Sequence, residues 1–593
     1  MRKRREQAGY KFRRTPAYGC QWTAWLCASA FILGVAGCRL PPAAETKVER
    51  AMEKKVESDW ERFDPRADDL EIETVSAKTE AGIKVTCLYY TSHKIGSRPV
   101  RIYGIYARPA QVKGRIPAIL FIHGGGQIAD EAEVVGMARH GYAAFSHDWK
   151  CAELPEQPGH QSKWPFDAQA KRLRADEYHD SPAWIARRAL TVLEQQPEVD
   201  SRRLGVYGFS RGGYHTWTVA ATDSRVKAAN ASCGVLWSPL PFMGKLKAPV
   251  LFTDASNDFF ARMDAAQKVM EAVNVECRRL ISPNENHNLA GTGWEATRLK
   301  WFDHYLKGAA PLPAAPTMSV KTADGATIVT VKAPAATACQ LIYSYGTNAS
   351  VDRCWFGKPM RKTARNVFSV ALPRRAGMDL WYFANGDYRD GTTLSTAYAA
   401  SKAEAVQPAA PPADSRVLYD PSADGCYPWY FSWRGPVADH PWHSWGGTTL
   451  AVSPDVAGRP ALHVKSELAG TNGVGVFKAF LRSPGCPLRK DNGAAKLSLD
   501  VVGERPLRVA VVAYASGIWT ADTHRFQAAV ELTSGQGWAA VEIPVQSFKR
   551  QDPATKQEET MRSFAGVQQF HLTAESADKT RSLPAIGLIK WLP

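Results

Sequence analysis

The stretch best suited to do chemistry is Gly208-Phe209-Ser210-Arg211-Gly212, in which a serine stands between two glycines. An apolar strand pattern at 203–209 leads into it, and a helical pattern at 214–221 follows. A serine on a strand-to-helix turn forms a nucleophile elbow. The turn is too tight for large flanking side chains, and the helix directs its first amides toward negative charge that forms beside the serine. The pattern therefore predicts Ser210 as a nucleophile.

A serine hydroxyl is a weak nucleophile until a base accepts its proton, and the base is usually a histidine that a buried carboxylate orients. His287 lies in a loop directly after the strand pattern at 276–282, where such a base is expected. Two aspartates could orient it. Asp258 follows the strand pattern at 248–253 by several residues and can reach the histidine loop, whereas Asp254 stands at the strand end and could cap the turn. We favour Asp258 and keep Asp254 as the alternative.

Negative charge that develops on a substrate oxygen needs two main-chain N–H donors. We expect one from Arg211, directly after the nucleophile. The other should come from Gly124 or Gly125, in the run His123–Gly126 that follows an apolar strand. Glycine at these positions lets the main chain approach a substrate closely. These three amides are the candidates for the two donors of the predicted oxyanion hole.

A polar insertion between residues 149 and 180 contains aromatic residues and leaves the carboxyl edge of the predicted sheet. Ligands bind at this edge in open α/β folds. Trp149 and Trp164 are therefore candidates for substrate binding. Two alternatives stay open, because the insertion could instead be a packed surface excursion and Trp149 could simply close the sheet.

Strand and helix patterns alternate from residue 71 to residue 308. The run Ala118–Ile122 is continuously apolar, as in a parallel strand that is buried on both faces. Ser181 and Pro182 supply a cap and a first-turn proline for the helix that follows. The alternation predicts a doubly wound α/β sheet over 69–310. Strands are expected at 71–75, 83–90, 100–107, 118–122, 142–146, 203–209, 226–232, 248–253 and 276–282, and helices at 130–139, 182–194, 214–221, 261–273 and 294–307.

Together these motifs resemble the α/β-hydrolase superfamily: Phe121–Gly126, Gly208–Gly213, Asp258, His287 and the closing helix 301–308. They are similar to the branch that holds acetyl xylan esterases, dienelactone-hydrolase-like proteins and prolyl-oligopeptidase-like catalytic domains. The resemblance covers 71–308, about two-fifths of the chain. It implies a serine hydrolase whose triad runs in the chain order Ser, Asp, His.

Three departures from these families leave the substrate open. Ser210 stands where dienelactone hydrolases carry a cysteine nucleophile. The Arg-Gly-Gln motif of one acetyl xylan esterase family is missing near Asp148. The segment before the domain is too short for the propeller of the oligopeptidases. Fold alone does not decide function.

The rest of the chain shows short alternating runs and turn signals that predict two all-β sandwich domains. A small sandwich is expected at 317–402, an Ala/Pro linker at 403–414, and a larger sandwich of jelly-roll type at 415–593. Seven aromatic residues crowd into a short stretch of the last domain. Aromatic faces can stack on sugar rings, so this domain is a possible carbohydrate-binding module, with an aromatic core as the alternative. The seven are Tyr427, Trp429, Tyr430, Phe431, Trp433, Trp442 and Trp445.

The first 37 residues predict a lipoprotein signal peptide, in which basic residues precede an apolar run that is short for a membrane span. The run ends in Val35-Ala36-Gly37-Cys38, which resembles a bacterial lipobox with Cys38 as the lipidated residue. Ordinary signal cleavage is the alternative. Residues 38–68 are expected to form a tether and one helix. These features place the protein in the cell envelope, lipid-anchored (we expect at the outer membrane) or periplasmic or secreted, with contact to membrane only through the lipid.

The formal net charge is +16, of which the first 37 residues contribute +6 (seven Lys/Arg and one Glu), leaving +10. No nucleic-acid motif accompanies this excess, so we expect a basic surface and not a nucleic-acid site. Cysteines can pair in an oxidising compartment, and Cys339–Cys354 and Cys426–Cys486 are candidate pairs. Because no cysteine and histidine spacing matches a zinc site, we expect no metal and no other cofactor.

The expected function is that of a secreted serine esterase that hydrolyses carboxylic esters and deacetylates polysaccharide. A polysaccharide or a small ester would then be its partner. One alternative is a serine peptidase of the prolyl-oligopeptidase type. The other is a glycan-binding surface lipoprotein whose hydrolase domain is inactive.

Overall fold

The protein is described by a computed structural model in which the residues that can be described begin at Phe63. Cys38, Trp164, Cys486 and the signal segment lie outside them. No helix among them is long and apolar enough to cross a membrane. The described ranges are 63–149, 161–163, 181–235, 239–289, 293–346, 350, 353–403, 416–432, 444–445, 450–464, 478–481, 489, 493–502, 507–514, 525–532, 537–551, 555–567, 569–576 and 584–593.

The first region is built on a nine-stranded sheet in the order β1-β2-β3-β5-β4-β6-β7-β8-β9. The strands are β1 (Glu73–Glu80), β2 (Ile83–Ile95), β3 (Arg98–Pro109), β4 (Ile116–Ile122), β5 (Ala143–His147), β6 (Val199–Phe209), β7 (Val226–Ser232), β8 (Val250–Ala255) and β9 (Cys277–Ser282). The helices are α1 (Glu131–Arg139), α2 (Ser181–Glu194), α3 (Arg211–Thr222), α4 (Leu240–Met243), α5 (Met263–Ala272) and α6 (Trp294–Lys307).

Strands β5, β4, β6, β7, β8 and β9 pair with their neighbours in this series in parallel. The pairs β1–β2, β2–β3 and β3–β5 are antiparallel. The central strand β4 is buried at every position after its first, which explains its unbroken apolar sequence. The α/β-hydrolase-like fold expected from the sequence is confirmed. In this fold the carboxyl ends of β4, β6, β8 and β9 share one edge of the sheet, so the residues that follow these strands lie close together.

The second region consists of strands only among its described residues. They are β10 (Thr317–Ala323), β11 (Ala326–Lys332), β12 (Ala338–Tyr345), β13 (Phe356–Pro359), β14 (Arg361–Ala364), β15 (Val367–Pro373), β16 (Leu380–Asp387), β17 (Thr393–Ser395) and β18 (Ala399–Ser401). They form a sheet in the order β10-β11-β15-β14 and another in the order β13-β12-β16-β17, with β18 beside β16. Side chains from both sheets share one apolar core with the first region.

The second region also covers β9, the last strand of the large sheet. The Ile281 N–H donates to Ser395 Oγ at 2.7 Å, and Asn385 Nδ2 donates to the Ile281 carbonyl at 3.2 Å. An edge strand exposes unpaired main-chain groups, and these contacts satisfy some of them. The second region is therefore packed against the nine-stranded sheet.

The third region also forms two sheets, in the orders β22-β23-β32-β25-β28, with β19 beside β32, and β21-β20-β24-β31-β26-β27-β29-β30. Its elements are β19 (Val417–Tyr419), α7 (Pro421–Asp424), β20 (Trp429–Ser432), β21 (Ser444–Trp445), β22 (Leu450–Val456), β23 (Arg459–Val464), β24 (Lys478–Leu481), β25 (Lys496–Val502), β26 (Leu507–Tyr514), β27 (Arg525–Leu532), β28 (Ala539–Pro544), a 3-10 turn (Val545–Ser547), β29 (Lys549–Gln551), β30 (Glu558–Thr560), β31 (Gln569–Ser576) and β32 (Ala585–Leu592). Apolar side chains from both sheets form one core, so the sheets pack face to face. The region is strand-rich, as predicted, and the jelly-roll order stays a prediction.

The predicted Cys339–Cys354 disulfide is wrong, because the two thiols are not bonded to each other and lie in different apolar clusters, one in the shared core and one beside Phe356. The Cys426–Cys486 pair stays a prediction, since Cys486 lies outside the described residues. Residues 63–68 form coil and turns, and the helix expected in 38–68 otherwise lies outside the described residues. Trp429 is fully buried against Tyr419, so it belongs to the core and not to a sugar-binding face.

Candidate active site

Ser210, His287 and Asp258 meet at the carboxyl edge of the large sheet. Ser210 Oγ lies 2.6 Å from His287 Nε2, and His287 Nδ1 lies 2.7 Å from Asp258 Oδ2. All three side chains are buried. In the tautomer with its proton on Nδ1, His287 donates to the carboxylate and accepts from the serine hydroxyl. The arrangement can take a proton from Ser210 and hold the resulting imidazolium beside a negative charge.

The strand-to-helix turn at Ser210 is strained and closely packed. Ser210 has φ 60° and ψ −124°, a left-handed backbone conformation that is rare outside glycine. A Cβ on Gly212 would lie 1.9 Å from the Ile122 carbonyl oxygen, and one on Gly208 would lie 2.4 Å from the Gly212 carbonyl oxygen. Only glycine fits at both positions. This packing presses the nucleophile turn against the end of β4, where the predicted oxyanion loop begins.

The two glycines proposed as oxyanion donors differ in their surroundings. The Gly124 N–H donates to Gln127 Oε1 at 2.7 Å, so an acceptor already occupies it. Gly125 lies against the residue that follows the nucleophile, since a Cβ there would be 2.7 Å from Arg211 Cδ. Arg211 is the first residue of α3, where helix amides point outward. The geometry therefore favours Gly125 over Gly124 as the partner of Arg211.

The two candidate acids have different environments. Asp258 Oδ1 accepts from the N–H groups of Phe260 and Ala261, both at 2.8 Å, which leaves Oδ2 for His287. Asp254 Oδ1 accepts from the Ala255 N–H at 2.9 Å. Burial, and secondly the charge of Asp258, raise the pKa of Asp254 well above its ordinary value. Asp258 is the carboxylate that contacts the histidine, and burial favours the protonated form of Asp254 beside it.

Among the described residues, Cys233, Asp258 and His287 form the one group whose potential ligand atoms lie close enough to hold a metal ion. Asp258 and His287 already hydrogen-bond to each other. Burial, followed by the charges of Asp258 and Asp254, raises the pKa of the Cys233 thiol well above its ordinary value, so the sulfur stays protonated. A thiolate is the form that binds metal. The cluster is better explained as a neutral buried thiol that packs beside the hydrogen-bonded pair of Asp258 and His287.

The prediction that Trp149 binds substrate is wrong, because its side chain has no exposed surface. Its Nε1–H donates to the His123 carbonyl at 3.1 Å. The indole stacks on the His123 ring at 5.2 Å and meets the His215 ring edge-on at 4.8 Å. Trp149 thus supports the glycine loop and α3 from beneath. Trp164 lies outside the described residues.

Two buried histidines in this part of the site, His215 beside the tryptophan and His147 at the end of β5, favour the uncharged form. Burial, followed by the charges of Arg211 and His123, lowers the pKa of His215 to about 3. Burial also lowers the pKa of His147 well below its ordinary value. At neutral pH these rings therefore act as neutral packing groups. The positive charge beside Ser210 comes from Arg211, whose guanidinium lies 5.9 Å from the Trp149 ring centre.

Sequence reasoning missed the aromatic residues that surround His287. The Phe209, Phe259 and Phe260 ring centres lie 5.0, 5.7 and 5.0 Å from the histidine ring centre. Phe260 keeps 49% of its surface exposed, which is unusual for a phenylalanine. Its exposed face beside the histidine offers an apolar contact to a substrate. The position of this pair directly after Asp258 is the signal that could have found it.

Residues 102–292 match the model of the dienelactone hydrolase family. The domain is similar to that family. The resemblance predicted from the sequence is therefore confirmed for this part of the chain, and the match supports a hydrolase. A further relative is the protein named uncharacterized peptidase YuxL of Bacillus subtilis (strain 168), 24% identical over 262 residues, which are 35% of this chain and 37% of that protein. The chain thus spans well under half the length of this curated relative.

Solved structures to which the chain is similar include three esterases. An acetyl xylan esterase from Paenibacillus sp. R4 is 16% identical, covers 43% of this chain and 94% of its own, and has a TM-score of 0.35. Acetyl xylan esterase 1 from Thermoanaerobacterium sp. JW/SL YS485 is 18% identical, with coverage of 42% and 94% and a TM-score of 0.35. A glucuronoyl esterase from Solibacter usitatus is 15% identical, with coverage of 42% and 91% and a TM-score of 0.31.

Proposed function

We propose that the protein is a serine esterase of the cell envelope that removes acyl groups, foremost acetyl, from polysaccharide. The observation that carries the proposal is the continuous hydrogen-bonded chain from Ser210 through His287 to Asp258. Support for an ester substrate comes from the matching family, whose name refers to a lactone, an internal ester. Support for a polymer comes from the additional β regions. Support for the location comes from the lipobox-like sequence ending in Cys38.

In the proposed reaction, Ser210 Oγ attacks the ester carbonyl carbon while His287 Nε2 takes the hydroxyl proton. The oxyanion accepts hydrogen bonds from the main-chain N–H groups of Gly125 and Arg211. The intermediate then expels the sugar oxygen, which takes the proton from His287 and leaves as an alcohol. The acyl group stays on Ser210 as an ester.

A water molecule completes the cycle. His287 removes one water proton while the water oxygen attacks the acyl carbon, and the second oxyanion uses the same two amides. Collapse of this intermediate returns the proton to Ser210 Oγ and releases the carboxylic acid. Asp258 keeps its negative charge throughout and stabilises the imidazolium in both halves of the reaction.

Hydrolysis of p-nitrophenyl acetate and release of acetate from acetylated xylan test the proposal, with the Ser210→Ala variant as the control. We expect turnover on both substrates and a loss of roughly 10⁴- to 10⁶-fold in kcat for the variant. A second candidate is a serine peptidase, which the relative named as a peptidase favours. Cleavage of a proline-containing chromogenic peptide without ester turnover would replace the esterase by this candidate. Binding of glycan without Ser210-dependent turnover would indicate a binding protein.

A further inference from the structure

The loops that carry Asp258 and His287 each contain a fully buried asparagine whose side chain reaches out of the catalytic region. Asn257 Nδ2 donates to the carbonyls of Arg353 at 2.7 Å and Ser350 at 3.2 Å. Both acceptors belong to the second region, between β12 and β13. Asn257 directly precedes Asp258 in the chain, so this contact fixes the main chain next to the acid.

Asn284 makes the corresponding contact for the histidine loop. Its Nδ2 donates to the Trp355 carbonyl at 2.8 Å and to the Tyr427 carbonyl, and its Oδ1 accepts from the Trp355 N–H at 3.0 Å. The loop turns here through a left-handed conformation, with φ 54° at Asn284. Asparagine tolerates this conformation better than most residues with a side chain. The turn before His287 is therefore held by the second and third regions.

The two loops are also joined to each other. Ser256 Oγ accepts from the Asn284 N–H at 2.7 Å and lies 2.9 Å from Asn257 Oδ1. The Asn257 N–H donates to the Glu285 carbonyl at 2.9 Å. These four side chains have no exposed surface. A hydrogen bond lost at such depth leaves a buried polar group unsatisfied, which is why the network holds one geometry.

We propose that the second region is part of the catalytic apparatus and that Asn257 and Asn284 are positioning residues through which it fixes the acid and the base. The inference rests on the proposed function of the Ser210 site. A shift of about 1 Å in a catalytic group can lower turnover roughly 10²-fold. Two loops on separate strands need a common support to hold Asp258 and His287 within hydrogen-bond distance, and the second region supplies it.

Two variants of the full chain test this, with a third as the matched control. Asn257→Ala removes the contact to Arg353 and Ser350. Asn284→Gly removes the side chain while keeping a residue that accepts the left-handed backbone. The control is Asn385→Ala, because Asn385 is also buried at the same interface but donates to the carbonyl of Ile281, a residue of strand β9 and of neither loop. We expect kcat per titrated active site to fall roughly 10²-fold in both variants, with KM unchanged. In the control, kcat should stay at the wild-type value.

Hydrogen exchange followed by mass spectrometry supplies a readout that needs no turnover. We expect faster exchange in peptides containing Asp258 and His287 in either variant, and wild-type exchange there in the control. Unchanged kcat and exchange in both variants, or equal losses in the control, would overturn the inference. If wild type lacks Ser210-dependent turnover, the proposed function fails, and exchange alone then decides the positioning role. If one variant does not fold, the other decides.

Discussion

Asp254 and Asp258 are two fully buried carboxyls four residues apart, and the buried Cys233 thiol lies within 4.8 Å of a carboxylate oxygen of Asp258. Asp258 has His287 and two main-chain amides as partners, so its negative charge is compensated. Asp254 accepts from the Ala255 N–H at 2.9 Å. Burial, and secondly the charge of Asp258, raise the pKa of Asp254 well above its ordinary value and so favour its protonated form. Asp258 is the acid that contacts the histidine, and the environment of Asp254 favours a neutral acid behind it.

The different environments of the two aspartates predict different effects of the same Asp→Asn substitution on kcat. Asp258→Asn removes the charge behind His287, and we expect a fall in kcat of roughly 10⁴-fold. Asp254→Asn replaces a protonated acid by a neutral group of the same shape, and we expect kcat to stay near that of wild type. Steady-state hydrolysis of p-nitrophenyl acetate measures both. A larger loss in Asp254→Asn than in Asp258→Asn would reverse the assignment of the acid.

The same substitution predicts a pH-dependent gain in stability. Above its ordinary pKa of 3.8, Asp254 is ionised in the unfolded chain but protonated in the folded one. The unfolded state then binds fewer protons, so the stability of wild type falls as pH rises, by at most about 1.4 kcal/mol per pH unit. The Asp254→Asn variant has no titratable group at this position and therefore lacks this pH-dependent loss of stability. Its melting temperature relative to wild type should therefore rise as the pH increases above about 4, up to the raised pKa of Asp254 in the folded protein.

Thermal unfolding at matched pH values measures this difference. Asp324→Asn is a suitable control, because Asp324 is exposed in a turn with φ 48° that asparagine also tolerates. We expect the control to follow the wild-type curve. A constant offset between Asp254→Asn and wild type at every pH would show that Asp254 is not a protonated acid in the folded protein.

Local patterns in the sequence were sufficient for the α/β region, because strand and helix periodicity is written in adjacent residues. Strand β7 and helix α6 begin and end where expected, at 226–232 and 294–307. Contacts between regions are not local. Asn257 meets Arg353 across 96 residues, and Asn284 meets Tyr427 across 143. No periodicity connects such positions, and the second region could not be placed from the sequence.

The site residues divide in the same way. Ser210 and His287 could be named because their chemistry constrains the turn and the strand end that carry them. Trp149 and the Cys339–Cys354 pair could not be placed, since an aromatic ring or a thiol looks alike in sequence whether it packs in a core or faces a ligand. No sequence pattern marks Gln127, because its role depends only on the fold, which places its amide oxygen beside the Gly124 N–H.

The glycine loop allows a direct test of the oxyanion donor. In Gly125→Ala the new methyl group would lie 2.7 Å from Arg211 Cδ, so the loop or the arginine must move. We expect kcat to fall by about tenfold or more, toward the roughly 10²- to 10³-fold loss that follows removal of a donor. Gly126→Ala is the control in the same loop, because a methyl group there meets no atom within 4 Å. Equal kinetics of the two variants would contradict the expected displacement of the loop.

The exposed face of Phe260 predicts a change in substrate binding without a change in chemistry. Phe260 packs against Phe259, with ring centres 4.0 Å apart and ring planes inclined by 42°, and presents nearly half its surface to solvent beside His287. Phe260→Ala removes apolar area that a substrate would cover, and burial of half a phenylalanine ring corresponds to roughly a tenfold change in affinity. We therefore expect KM for p-nitrophenyl esters to rise about tenfold while kcat stays near wild type, since the contact is the same in the ground and transition states. Phe260→Leu keeps most of the apolar area and should show a smaller rise. A loss of kcat at unchanged KM would instead mean that Phe260 holds the His287 ring in place.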